Sequence, residues 1–358
     1  MSESNEDLLL EILKEAKANN ASDIHLAPAS PVMIRVDGAL APLNKYYLKP
    51  FEIENILEVM INENQKSELE EKGELDFAYS ISGFSRIRVN AFRQRGTYAM
   101  AMRILSFEIP DAKAIGVPNS IINLVHKKKG LIIVTGAAGS GKSTTLAALI
   151  DEIAKNQSKN IITIEDPIEY LFKHGKSIVL QREIGGDTKS YDNALNAALR
   201  EDPDVIFVGE LKDLETISAA ISAAENGHLV FSTLHKNTSA EAIDRLVDVF
   251  PMHQQQQVRV LLSEVLEGII AQQLLPLKKS KGRIAAFEVM ISNQNIRKLI
   301  REGKNYQIPS EMERFKKDGI RLMDDSVYDL YMKGLITGET AINYAHDKVV
   351  MNDRVQIK

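Results

Sequence analysis

Residues Gly136-Ala137-Ala138-Gly139-Ser140-Gly141-Lys142-Ser143 satisfy the pattern GxxxxGK[ST], between the apolar run LIIVT and the helical pattern STTLAALIDEIA. No other feature constrains the fold as strongly. Such a loop works only where a strand hands over directly to a helix. Its glycines let the backbone amides turn inward around a phosphate group, and the first helical turn adds positive potential. Lys142 is then placed to reach the β and γ phosphates and Ser143 to bind magnesium. A phosphate loop alone leaves a kinase, a GTPase and a motor all open.

From Leu131 the chain alternates apolar runs (LIIVT, IITIED, DVIFVGE and HLVFSTL) with segments long enough for crossover helices. Continuous apolar runs of this kind predict a parallel sheet covered on both faces. After residue 250 the pattern turns helical, with Val258, Leu261, Leu262, Val265 and Ile269 at 3.6-residue spacing. Upstream, residues 6–18 form an amphipathic helix with Leu9, Ile12, Leu13 and Ala16 on one face, followed by the strand-like SDIHLA. Between 32 and 104 the β-rich runs VMIRV, FSRIRVNAF and TYAMAMRIL are separated by helical patterns near 51–61 and 64–72, which predicts a small α+β domain. Phe107 to Pro118, with Pro110, Asp111, Gly116 and Pro118, reads as an interdomain linker. The expected division is 1–107, linker 108–118, and 119–358.

A chain of 358 residues accommodates two such domains, and 44 Lys+Arg against 49 Asp+Glu leave a net charge of −5. That balance removes the long-range attraction a dedicated nucleic-acid binder shows, so no nucleic acid is expected as partner. The absence of cysteine excludes disulfides, thiol nucleophiles and cysteine zinc sites. The start, MSESNEDLLLEILKEAKANN, matches no secretory signal, and no apolar stretch is long enough to span a bilayer. The expectation is a cytoplasmic protein whose membrane contact is peripheral, without insertion.

DVIFVGE is a buried strand ending in Glu210, where such folds put a carboxylate that orients and deprotonates an attacking water. IITIEDPIE offers Glu165, Asp166 and Glu169 at the end of another strand, close enough to contact magnesium or its water shell. Any one strand-end acid is as well explained by solvated capping; two such strands beside a phosphate loop weigh against that. His228 and His235 flank LVFSTL, and a zinc site lacks a third ligand. His235 is read as functional, sensing the γ phosphate or bridging subunits; for His228 this and a hydrogen-bonded structural role stay open. Arginine concentrates on the last two β runs of the first domain, at Arg86, Arg88, Arg93, Arg95 and Arg103, while few arginines surround the phosphate loop. Each alone fits a solvated strand face. As a set they can supply charge to a nucleotide in the other domain or an adjacent subunit; an arginine finger is worth about 10³ to 10⁵ in rate. Borrowing one implies an oligomer.

ASDIHL, GAAGSGKSTT, TIEDPIE, LREDPDVIFVGELKD, GHLVFSTLH, DVFPMHQQQQVR, IAQQLLP and AAFEV stand here in the order found in the secretion ATPase superfamily. Over nearly its whole length the chain most resembles the type IV pilus retraction ATPases. The resemblance implies an α/β fold: an N-terminal PAS-like α+β domain, then a RecA-like P-loop ATPase domain with a C-terminal helical region. It implies ATP and Mg2+ as ligands, with Gly136, Ala137, Ala138, Gly139, Ser140, Gly141, Lys142, Ser143 and Thr144 around the nucleotide. Glu210 looks like the catalytic carboxylate and Glu165 like the aspartate-box acid, the two joining Ser143 about the metal; His235 is the histidine-box residue, with His228 in the same motif. Arg88 and Arg103 look like the arginines that approach the phosphates, with Arg95 a third.

The same resemblance implies a homohexameric motor at the cytoplasmic face of the inner membrane. Its linker is the hinge, its load the inner-membrane platform protein, and its output pilus disassembly and twitching motility. Pilus assembly and type II secretion motors usually add an N-terminal domain and a four-cysteine zinc element, which this chain lacks; an assembly motor, a DNA translocase or a non-hydrolysing accessory scaffold are the competing readings. NIRKLIREGKNYQI resembles the C-terminal Ala-Ile-Arg motif of retraction ATPases, with Asn295 in place of alanine before Ile296 and Arg297. Lys212 and Asn196 also stand where the family has arginine, and lysine cannot reproduce a bidentate guanidinium contact.

Overall fold

The computed structural model describes residues 2–36, 38–81, 84–104, 108–279, 282–316 and 319–356. They fall into two units, Met1–Glu108 with Glu169–Leu171, and Ile109–Ile168 with Phe172–Lys358. Phe107, the last residue of the expected first domain, lies outside the described residues. Ile109 to Pro118 belongs to the larger unit, where Ala112 and Val117 are buried in the core.

The smaller unit is rich in strands: β1 Asp23–Leu26, β2 Pro31–Val36, β3 Ala39–Tyr47, β4 Glu74–Ile81, β5 Ser85–Gln94 and β6 Thr97–Ile104. They pair antiparallel in the order β3-β2-β1-β6-β5-β4. Helix Ser2–Ala18 lays its Leu9, Ile12 and Leu13 stripe, and helix Pro50–Met60 its Ile53, Ile56 and Leu57, onto one face of this sheet. The two-residue period of β5 sends Ile87, Val89 and Ala91 into that core and Arg86 and Arg88 to the opposite face. Strands β3 and β4 have no counterpart in the sequence reading. Both are edge strands, and Pro42, Glu74 and Asp76 interrupt their apolar pattern, as edges tolerate.

The larger unit is built on β7 Gly130–Thr135, β8 Asn160–Glu165, β9 Ile178–Glu183, β10 Val205–Val208, β11 Leu229–Leu234, β12 Leu266–Pro276 and β13 Arg283–Ile291, in the order β13-β12-β7-β11-β10-β8-β9. Leu131 and Ile133 face one apolar layer and Ile132 and Val134 the other, so both faces are covered, and the six strands from β12 to β9 run parallel; β7, β8, β10 and β11 are the four expected, while β9 and β12 have no counterpart among the predicted strands. Two expectations need correction. Strand β13 is antiparallel, which makes the sheet mixed. The helix after residue 250 is Met252–Val265, and Ile269 belongs to β12 instead of continuing it. Ile269, Ile270 and Ala271 form a continuously buried run between two neighbouring strands, and a run this short fits a helix or a central strand equally well. The last helices, Met323–Met332, Gly338–Tyr344 and Lys348–Gln356, pack Met323, Val327, Ala341 and Met351 onto Ala271, Leu275 and Ala286 of the β12–β13 hairpin.

Candidate active site

Strands β7, β11, β10 and β8 are neighbours and parallel, so the loops that follow them leave from one edge of the sheet. This gathers the phosphate loop after β7, His235 after β11, Glu210 after β10 and Glu165 at the end of β8 into adjacent positions. Residues far apart in the chain become lateral neighbours at the carboxyl edge, where open α/β sheets place their ligands.

The phosphate loop needs its glycines for two reasons. Gly136, Gly139 and Gly141 take φ of +151°, +73° and +89°. A Cβ on Gly136 would also lie 2.4 Å from the Gln272 carbonyl oxygen, and one on Gly141 would lie 2.8 Å from Gln272 Nε2. Gln272, buried on β12, thus presses on both glycines while its Oε1 accepts from Thr145 Oγ1 at 2.8 Å. Helix Lys142–Asn156 starts from Gly141, with Ser143 and Thr144 half-buried in its first turn. Thr135 Oγ1 donates to the Lys236 carbonyl at 2.7 Å and accepts the Lys236 amide at 2.9 Å, which fixes the start of the phosphate loop to the histidine loop.

Lys142 is buried, and its ammonium donates to the carbonyls of Gly136 at 2.9 Å and Ala137 at 3.0 Å. It also faces His235 Nδ1 at 3.3 Å. On the other side of the ring, Nε2 is 3.4 Å from Glu210 Oε1, and Lys212 Nζ is 3.5 Å from Glu210 Oε2. Glu165 is buried; its Oε1 accepts from Thr163 Oγ1 at 2.7 Å and from Gln181 Nε2 at 3.2 Å. The hydroxyl of Tyr191 lies against Gly209, where a Cβ would meet it at 2.9 Å. Burial, and then the carboxylates of Asp166, Glu210 and Glu165, push that phenol well above its ordinary range, so Tyr191 brings a neutral hydroxyl to the acidic edge.

His228 is not brought to this edge. It precedes the amino end of β11, six strand residues from His235, and its Nδ1 lies 2.9 Å from the Ala223 carbonyl at the end of helix Leu214–Glu225. Of the two readings left open for His228, the structural one describes this position. Arg88 and Arg103 stand directly opposite each other on β5 and β6, on the face away from the core of the smaller unit. Like charges in that register repel, and each has an acid: Asp76 lies 3.8 Å from Arg88, and Asp23 is bonded at 2.8 Å to Arg103. Arg95 occupies the β5–β6 turn at φ +50°. Asn196 bonds Asp192 within its own helix, and Asn295 donates to Glu311.

Besides Tyr191, three contributors to the site are not singled out by the sequence. Gln272 and Gln181 hold the loop and Glu165 from flanking strands; Arg283 of β13 donates to the Gly139 carbonyl at 3.3 Å, so the phosphate loop has an arginine from its own unit after all. An apolar hollow of about 440 Å³, lined by Ile115, Gly116, Leu274, Leu277 and Ile284, adjoins Gly141 and Thr144. The IAQQLLP run carried the signal for Gln272, a polar pair inside an apolar strand, but its partner becomes visible only with the topology. Among the described residues no cluster of three His, Asp or Glu side chains is arranged to hold an ion, and no helix is long and apolar enough to cross a membrane.

Residues 2–280 match the model of the type II/IV secretion system protein family. A type IV pilus retraction ATPase, PilT, from Pseudomonas aeruginosa is 41% identical over 93% of this chain and 96% of its own length. A twitching motility protein from Neisseria gonorrhoeae is 39% identical over 96% of this chain and 92% of its own. Among solved structures, the pilus retraction motor PilT with bound ADP superposes with a TM-score of 0.89 at 50% identity, covering 95% of this chain and 98% of that one.

Proposed function

The chain belongs to the type II/IV secretion system protein family, and from that premise we propose that it is the ATP-hydrolysing motor that retracts type IV pili. The observation that carries the chemistry is the line Lys142–His235–Glu210, with Glu165 alongside, at the ends of neighbouring parallel strands.

Lys142 and the amides from Gly136 to Thr144 hold the phosphates of ATP, and the apolar hollow beside Gly141 takes the base. Glu210 orients the attacking water and accepts its proton as the bond from the γ-phosphorus to the bridging oxygen breaks; ADP and phosphate leave. The hard oxygen donors Ser143, Glu165 and Glu210 suit Mg2+, which would neutralise charge on the phosphates. His235 links Lys142 to Glu210, so that phosphate contact at the lysine is felt at the base. Arg88 and Arg103 supply charge to a nucleotide held by the larger domain or by a neighbouring subunit; Arg95 lies in the turn at the other end of the same hairpin.

At the level of the whole molecule, residues 1–107 act as a PAS-like domain and 119–358 as a RecA-like ATPase domain; the expected linker 108–118 packs with the latter through Ala112 and Val117, so the hinge lies at its amino-terminal end. Six copies form a ring at the cytoplasmic face of the inner membrane, and interdomain rotation loads the platform protein at the pilus base.

Glu210→Gln tests the hydrolytic assignment. The variant is expected to bind nucleotide and assemble while turnover falls at least about a hundredfold. Turnover at the normal rate would pass the base role to Glu165. Mixing Lys142→Ala with Arg103→Ala subunits tests sharing: activity returns at mixed interfaces if the arginine is borrowed, and stays absent in verified mixed rings if it is not.

A further inference from the structure

The edge strand β9 grips the loop that leaves the aspartate box. Ile168 donates its amide to Glu183 Oε2 at 2.9 Å, and Phe172 donates its amide to Gln181 Oε1 at 2.9 Å. Between these two feet lie Glu169–Leu171, which group with the smaller unit; Phe172 is where the chain re-enters the larger one.

Gln181 does more than anchor a foot. It is the register partner of Thr163 in the parallel β8–β9 ladder, and both donate to the same oxygen, Oε1 of Glu165. The amide's orientation is dictated at both ends. The Phe172 N–H requires an oxygen and the Glu165 carboxylate requires a donor, so a flip would break both bonds at once.

We propose that Gln181 is a positioning residue for hydrolysis: its amide sets the Glu165 carboxylate and ties it to the loop at Phe172. This rests on the reading of Glu165 as the acid that assists magnesium and water.

Gln181→Leu and Gln181→Glu, with Glu165→Gln as reference, test it in the full-length assembled protein. Leucine removes both bonds. Glutamate keeps the shape and the acceptor for Phe172 but turns the donor toward Glu165 into a second carboxylate, which repels the first instead of holding it.

Gln181→Leu is expected to lower kcat about ten- to a hundredfold, the worth of one hydrogen bond to a charged group, with KM for ATP unchanged. Gln181→Glu is expected to lose at least as much, again in kcat with KM for ATP unchanged. Wild-type kcat in both variants, or a loss carried by KM, overturns the proposal. Should leucine prevent folding, the near-isosteric glutamate variant and its split between kcat and KM decide alone. Wild-type turnover in Glu165→Gln instead sinks the reading of Glu165 itself, an outcome distinct from the failure of Gln181.

Discussion

His235 Nε2 lies 3.4 Å from Glu210 Oε1, and the other nitrogen of the same ring faces the Lys142 ammonium at 3.3 Å. An ammonium only donates, so Nδ1 accepts, which leaves the ring proton on Nε2 pointing at the carboxylate. His235→Ala breaks this line between phosphate contact and base. Turnover is expected to fall about 10²- to 10⁴-fold while nucleotide affinity changes little, because the loop and Lys142 remain. Single-turnover hydrolysis beside equilibrium nucleotide binding separates the two; a loss confined to affinity would contradict the assignment.

Gln272 buttresses the phosphate loop from β12. Gly136→Ala would place a Cβ 2.4 Å from its carbonyl oxygen at a φ of +151°, so this variant should fold yet fail to bind nucleotide. Gln272→Leu keeps the backbone carbonyl against Gly136 but removes the amide beside Gly141 and strands Thr145 Oγ1. Its KM for ATP and Kd for ADP should both rise about tenfold, with kcat preserved. An isolated fall in kcat, read in the same titrations, would count against a buttressing role.

Arg103 and Asp23 make a pH-dependent contribution to the smaller unit. Burial alone would raise the Asp23 carboxyl, but hydrogen bonds from Ser22 and Arg103, then the charges of Arg103 and His25, hold it below its ordinary value. A depressed carboxylate stabilises the folded state above its unfolded pKa, and that contribution disappears as pH falls through the lowered value. The Arg103 side chain is 64% exposed, so the pair is worth only about 0.2–1 kcal/mol. The difference in Tm between wild type and Asp23→Asn should therefore be largest near neutrality and close in acid. A difference that widens in acid has the wrong sign.

Arg297 is a clamp in the C-terminal half. Its Nη1 donates to the carbonyls of Ser263 and Glu264, each at 2.7 Å, where helix Met252–Val265 ends, and its Nη2 to Glu267 at 2.8 Å. Lys127 also pairs with Glu267 at 2.8 Å, so removing Arg297 leaves that acid with a partner. Arg297→Ala is expected to cost about 1.5–3 kcal/mol. Thermal melts check this, and ATPase activity well below the melt should be retained. Lysine, a point charge, should rescue only part of the loss.

Much of this architecture is legible in the sequence because apolar runs end in chemistry. LIIVT, IITIE, DVIFVGE and LVFSTLH each finish on a residue of the site, and a parallel sheet brings such ends to one edge. Ile269 misled because its place in a buried run fits helix and strand alike, and the hairpin it belongs to carries Gln272 and Arg283 to the phosphate loop across more than a hundred residues. Polar spacing along the chain does not encode that return. Gln181 is hidden for a related reason: β9 is an edge strand with exposed Ile178 and Leu180, a pattern that locates no partner. His228 shares a motif with His235, yet a strand of six residues puts the two at opposite edges of the sheet.

The central claim is that ATP hydrolysis by this chain pulls pili in. Surface pili counted by electron microscopy in a deletion strain, complemented with wild type or Lys142→Ala, test it most directly. Excess pili without twitching are expected, reversed by wild type and not by Lys142→Ala. Bald cells would make the chain an assembly motor, and normal pili would assign its work to another machine; either result contradicts the claim.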